Sequence, residues 1–422
     1  MNLKIPYGAT SINVNIPEPC IVLQPPKLTI PDEKKIFEQA LNHPIHSISL
    51  QDFLKQADEL LVIVNDRMRP TPTATSLKYL HPFFEKYKST ITFIVACGSH
   101  RQPTDEELHE IFGTCYGQYK DSIVIHQAKD DKTLEYIGTT TRGTKVSINK
   151  LVNKIKNVFI IGSIEPHYFA GFTGGRKAIL PGVSSYETIE MNHKHALNEN
   201  ARPLALDGNP VHEDMVEAVN LLQDVNMFSL QMILTGNDEL YAVTAGDIHR
   251  SFYQAVQNAK QVYTVPIQEQ TPLVITIPSP PLDVNLYQSQ KAIEHGKLAL
   301  SPDGVLILVS SCHGGTGNRA FLDALCSAET PELVMSAIGE EYKLGYHKAA
   351  KLAHLQTHSK LWVVSDLPDD VIRNAHMTPY HDLQQAVDDA KILLKKQGQS
   401  LKTTVLYAGS CIVPRFTEQK IK

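Results

Sequence analysis

Paired cysteines are missing from this chain. Cys20, Cys97, Cys115, Cys312, Cys326 and Cys411 are scattered with no CxxC spacing, so neither a thiolate zinc site nor a disulfide framework is signalled. Cys97 and Cys312 sit beside His100 and His313 at strand ends, where small buried filler is the expected role. Long apolar runs are missing too: no window approaches the roughly 20 apolar residues of a membrane-spanning helix. The opening MNLKIPYGATSINVNI alternates polar and apolar residues like a strand pair and lacks the apolar core of a secretory signal, so a cytoplasmic address is expected. There is no long basic run, and the net charge is −5, which points away from nucleic acid and anionic membranes. Any anion site must be local. A Walker loop is missing as well: in GFTGGRKA, Arg176 stands where the second glycine belongs and Ala178 has no hydroxyl for magnesium.

What is present is enough chain for more than one core, 422 residues. A polar, proline-bearing stretch at 264–272 divides it into an N-terminal domain, 1–266, and a C-terminal domain, 272–406. Compact apolar runs at 60–64, 91–97, 122–126 and 158–162 read as buried strands, and helices are expected over 73–87 and 104–112 between them. Helices at 186–197 and 210–222, a strand pair at 230–235 and 241–244, and a helix at 249–262 follow. The second domain repeats the alternation, with strands at 273–277, 305–310, 361–364 and 404–408 and helices at 286–300, 319–326, 345–357 and 383–396. The fold class is therefore α/β, two domains with parallel or mostly parallel sheets flanked by helices. In such sheets ligands bind beyond the carboxyl ends of the strands, and Asp66, Arg69, His100, His126 and His167 all fall at those ends.

The densest stretch runs from 159 to 195. Gly171, Gly174 and Gly175 remove side chains where backbone N–H groups can converge on an anion, and Arg176 and Lys177 add positive charge beside them. A glycine-rich turn that merely reverses the chain is the plainer alternative. A rival motif, GTGNRA at 315–320, matches the dinucleotide fingerprint, but 331–340 reads as helix, so the acidic residue that should end a second strand is missing. A tight strand-to-helix turn is the expectation there. The sole tryptophan, Trp362, lies in an apolar strand pattern and is expected in a core.

EPHYFAGFTGGRKAILPG at 165–182, Asn192-His193 and GNPVHEDM at 208–215 resemble the nickel-pincer-nucleotide-dependent lactate racemases. The resemblance continues through DRMRP at 66–70, GSHR at 98–101 and LDVNLYQSQK at 282–291, and so spans most of the chain in the family's order. It implies a 2-hydroxy-acid racemase or epimerase that inverts C2 by proton-coupled hydride transfer, with the active site in the interdomain cleft and the tail 407–422 returning to the first domain. The implied cofactor is the nickel pincer nucleotide, nickel pyridinium-3,5-bisthiocarboxylic acid mononucleotide, whose biosynthetic and nickel-inserting enzymes become expected partners. His193 matches the nickel-binding histidine. Lys177 matches the lysine that contacts, and in some members covalently holds, the cofactor. His100 and His167 match the two acid/bases, whereas His195 matches no ligand, and His126 and His313 are expected to be packed in a core. Arg69, Lys291 and Gln288 match substrate-binding positions, while Asp66 and Tyr287 match residues lining the cofactor. Which 2-hydroxy acid is bound is left open. A nicotinamide-dependent 2-hydroxy-acid dehydrogenase and a non-catalytic anion- or metal-binding protein stand as alternatives.

Overall fold

The structure, a computed structural model, describes residues 1–87 and 89–417. It divides into two compact units, Leu28–Val262, and Met1–Lys27 together with Tyr263–Lys422. This differs from the expected partition at the N-terminal end. The strand Cys20–Leu23 lies parallel to Thr403–Leu406, and the hairpin Asn2–Tyr7 with Thr10–Asn15 puts Ile5 and Val14 into the same core as Val405. The first residues therefore belong with the C-terminal unit. The tail pairs Val413–Phe416 in parallel with Thr264–Ile267, the strand at which the expected first domain ends; residues 418–422 lie outside the described residues.

In the unit 28–262 the sheet runs Leu240–Gly246, Asn226–Leu234, Asn157–Ser163, Glu59–Asn65, Thr90–Ala96, Ile123–Ile125. Every neighbouring pair is parallel except the first, the expected antiparallel pair. Leu60 to Val64 and Val158 to Ile161 are buried on both faces, which is why these strands read as unbroken apolar runs rather than as alternation. Phe159 stacks on Phe228 at 5.5 Å and meets Phe84 edge-on at 6.2 Å. The flanking helices start where their caps do: Asp32 for Glu33–Asn42, Ser49 for Leu50–Lys55, and a Thr104/Glu107 capping box for Asp105–Phe112. The hairpin Leu134–Thr139 with Lys145–Asn149 was not foreseen.

The other unit carries a wholly parallel sheet ordered Thr378–Tyr380, Lys360–Val364, Leu300–Val309, Thr271–Thr276, Thr403–Leu406, Cys20–Leu23. Trp362 is buried in its core against Tyr380. The GTGNRA segment is the tight turn expected of it. The carbonyls of Gly315 and Thr316 accept the N–H groups of Leu286 and Tyr287 at 3.2 and 3.1 Å. Gly317 has φ +83°, and a Cβ there would stand 2.8 Å from Tyr287 Cβ, so close approach to the chain's own helix requires this glycine. Residues Pro331–Glu340 form a helix, as the missing acidic partner implied. Among the described residues no helix is long and apolar enough to cross a membrane.

Candidate active site

Asp66, Arg69, His100 and His167 each follow the end of a parallel strand. Asp66 follows Glu59–Asn65, and its Oδ1 accepts the Met68 N–H while its Oδ2 lies 2.6 Å from His100 Nδ1. His100 is turned in behind Thr90–Ala96 by an N–H bond to the Cys97 carbonyl. Asp66 is buried and His100 is 43 % exposed, so a buried carboxylate orients a ring that reaches solvent. The hydrogen-bond network assigns the proton to Nδ1 and the lone pair to Nε2. Asp66, expected at the cofactor, is thus placed behind His100. Arg69 follows in the same turn, donating its N–H to the Asp66 carbonyl, with its guanidinium 3.8 Å from Glu165. Burial pushes the Cys97 thiol up to about 12, consistent with inert filler.

Past Asn157–Ser163 the chain folds into a miniature antiparallel pair, Pro166–His167 against Gly171–Phe172. This pair holds His167 buried with its Nδ1 accepting the Ala170 N–H at 3.2 Å. A neutral His167 therefore carries its proton on Nε2, the reverse of His100. Phe169, at the apex, gathers the site. Its ring meets His167 edge-on at 4.5 Å and His193 at 5.0 Å, and Lys177 Nζ stands 5.6 Å from its centre. Sequence reasoning missed Phe169; its place two residues after a candidate acid/base and seven before the first cation was the available signal.

The glycine segment is closely packed. Gly175 donates its N–H to Gln231 Oε1 at 3.1 Å, and a Cβ on Gly174 would fall 2.2 Å from Ile164 Cδ1. On Gly171 it would fall 2.0 Å from the Ala205 carbonyl oxygen. These glycines serve close backbone packing. Arg176 is fully buried, donating to the carbonyls of Ala170, Thr173 and Gly174 at 2.7, 3.2 and 3.2 Å, with its guanidinium 4.3 Å from the Phe252 ring centre. Its charge is turned inward to clasp the loop. Gly171→Ala should therefore misfold the loop: positive φ alone costs about 1–2 kcal/mol, and the carbonyl cannot give way. A variant with unchanged melting temperature would refute this.

Lys177 is the next residue in that clasp. Burial, then the charges of Arg69 and Arg176, push its amine well below the usual lysine range, with Glu165 opposing. The neutral form of such an amine is a competent nucleophile. His193 sits on the helix Tyr186–Lys194, whose first turn is capped by Ser185, and its Nδ1 lies 3.1 Å from Asn192 Oδ1. His195 follows the helix and turns to Thr144 and Asp214, at 3.5 and 4.0 Å, in keeping with the i,i+2 offset. His126 is buried with Nε2 bonded to the Ser184 carbonyl, a packed histidine as expected, whereas His313, also expected in a core, is exposed with its Nδ1 3.4 Å from Ser311 Oγ. Tyr287, Gln288 and Lys291 belong to the other unit. They lie near the start of the helix Leu286–Gly296, capped by Asn285 onto the Gln288 N–H. Tyr287 and Lys291, four residues apart, share a face, and Lys348 Nζ rests 3.4 Å from the Tyr287 ring centre.

Residues 7–204 match the family described as lactate racemase N-terminal domain, and residues 267–413 match lactate racemase C-terminal domain. The chain belongs to the lactate racemase family. Its fold class is that of the family, and it is an isomerase of the racemase type. A lactate racemase from Thermoanaerobacterium thermosaccharolyticum is 29 % identical over 430 residues, covering 98 % of this chain and 99 % of that protein. One from Lactiplantibacillus plantarum is 29 % identical over 392 residues, covering 90 % and 91 %. The solved lactate racemase apoprotein of T. thermosaccharolyticum superposes with a TM-score of 0.89 at 29 % identity, covering 98 % of this chain and all of that one. A crystal structure from Thermotoga maritima, 15 % identical, gives a TM-score of 0.63 over 87 % of this chain and 97 % of its own, a likeness of fold alone.

Proposed function

We propose that this lactate racemase family member inverts C2 of a 2-hydroxy acid, lactate first among candidates, with His100 and His167 as alternate acid/bases. The observation that carries the proposal is their opposite hydrogen-bond settings. A carboxylate holds the proton on Nδ1 of His100, and a backbone N–H occupies Nδ1 of His167. One ring is therefore set to accept a hydroxyl proton and the other to donate one, as an enzyme working on both antipodes requires. Arg69 is the proposed fork for the substrate carboxylate, exchanging its long contact with Glu165 for two parallel bonds. Lys291 and Gln288 are proposed to bind the same substrate, and Tyr287 the cofactor.

The residues around Phe169 fit a nickel pincer nucleotide. Among the described residues no group of three or more His, Cys, Asp or Glu is placed to hold a metal ion, so a metal at His193 needs donors carried by its own cofactor. The imidazole of His193 would supply the protein's one donor to nickel held in such a cofactor. The depressed amine of Lys177 suits either a covalent bond or a charge contact with the same group. When bound, the cofactor supplies an acceptor for the hydrogen at C2. The protein's own share is to orient the acid, move its hydroxyl proton and hold the planar oxo acid while either face is reduced. The enzymes that build the cofactor and insert nickel are the proposed partners. Protein made beside such enzymes and analysed for metal and intact mass should carry nickel, and should interconvert enantiomers on a chiral panel of 2-hydroxy acids. Net consumption of NADH without interconversion would replace this reading with the dehydrogenase.

A further inference from the structure

The orientation of the Asn192 side chain is fixed by its neighbours. Its Nδ2 lies 2.8 Å from Asp214 Oδ2 and 3.3 Å from the Val211 carbonyl. A carboxylate oxygen and a carbonyl oxygen only accept, so this end of the amide must be the amino group and the other end the oxygen. That oxygen lies 3.1 Å from His193 Nδ1. An amide oxygen also only accepts, so Nδ1 must carry the proton. Asp214 is itself immobilised, wholly buried on the helix Pro210–Asn220, accepting from Thr140 Oγ1 at 2.5 Å and Thr144 Oγ1 at 2.9 Å.

We propose that Asp214 is a positioning residue which, through Asn192, fixes His193 as the Nδ1–H tautomer and keeps the lone pair on Nε2. The inference rests on the reading of His193 as the metal-binding histidine and gives that ligand its supporting shell. A carboxylate placed behind a metal-binding imidazole sets the tautomer and stiffens the ring. Here it acts at one remove, with the amide as relay. Four anchors converge on Asp214 and Asn192 from three separate segments: the threonines of the turn 140–144, the helix Tyr186–Lys194 and the helix Pro210–Asn220. That convergence exceeds what a helix cap needs. The sequence words Asn192-His193 and GNPVHEDM, far apart in the chain, thereby become two halves of one device.

The test uses ring-15N-labelled histidine in the apoprotein, with His193 assigned by the signal lost in His193→Gln. Wild-type His193 should show a protonated Nδ1 and an unprotonated Nε2. In Asn192→Leu and in Asp214→Asn the Nε2–H form should become populated, and protein loaded beside the cofactor-producing enzymes should retain nickel about 10- to 100-fold less well. A wild-type Nε2–H tautomer, or one unmoved in Asn192→Leu, would overturn the proposal. The wild-type spectrum decides even if Asp214→Asn does not fold. If His193→Ala keeps its nickel, the ligand reading is what fails. If His193→Ala loses nickel while Asn192→Leu keeps both tautomer and metal, only the relay fails.

Discussion

His100→Ala and His167→Ala are each expected to slow interconversion of enantiomers by about 10²–10⁴-fold, the usual range for loss of a general acid or base. Metal content and intact mass of the loaded protein should stay unchanged in both. The reason is positional: neither ring belongs to the group gathered around His193 by Asn192, and each is held by its own strand end. Asp66→Asn offers the finer probe. The amide occupies the carboxylate's space, but it cannot stabilise an imidazolium on His100 and can present N–H to Nδ1, so activity should fall by roughly 10²-fold with the fold intact. A measured loss of nickel in the His100 or His167 variant would mean that the roles are exchanged among these histidines. Full activity in Asp66→Asn would return that carboxylate to a turn-capping role.

Much of this site was legible because parallel sheets impose a geometric rule. Unbroken apolar runs at 60–64, 91–97 and 158–162 could only be strands buried on both faces, and the residues after them had to share one rim. Asp66, His100 and His167 are at those ends for that reason. What could not be read was which partner each polar group takes. Arg176 looks like an anion ligand in one dimension, yet in three it is clasped by carbonyls brought from Ala170 and Thr173. Gly171 looks like room for a ligand and is instead the point where the chain presses on Ala205. The place of the first residues was hidden for a related reason: strand pairing across almost four hundred residues, as between Cys20–Leu23 and Thr403–Leu406, leaves no local trace. Phe169 was hidden because an aromatic in an apolar-rich word reads as core, and only the rings and amine around it reveal another use.

Lys177→Met should abolish retention of the cofactor and, unusually for an active-site change, raise the melting temperature. Methionine fills nearly the same unbranched space without a charge, whereas the lysine amine is buried among like charges from Arg69 and Arg176. Each kcal/mol of relief corresponds to roughly 2–4 °C in a unit of this size. The pH dependence follows from the direction of the shift. With the folded value depressed and the unfolded value ordinary, the unfolded chain binds the extra proton at intermediate pH. Wild-type stability therefore rises as pH climbs from the folded value toward the ordinary lysine value. The gap between Lys177→Met and wild type should accordingly be widest at low pH and close at alkaline pH. The same depression means that Lys177 should react with a small amine-directed reagent in the apoprotein at a lower pH than the surface lysines do. Mass mapping that found Lys177 unmodified while surface lysines reacted, together with a Met variant that melted lower at every pH, would show that the amine is charged and paired, and would remove it as the nucleophile.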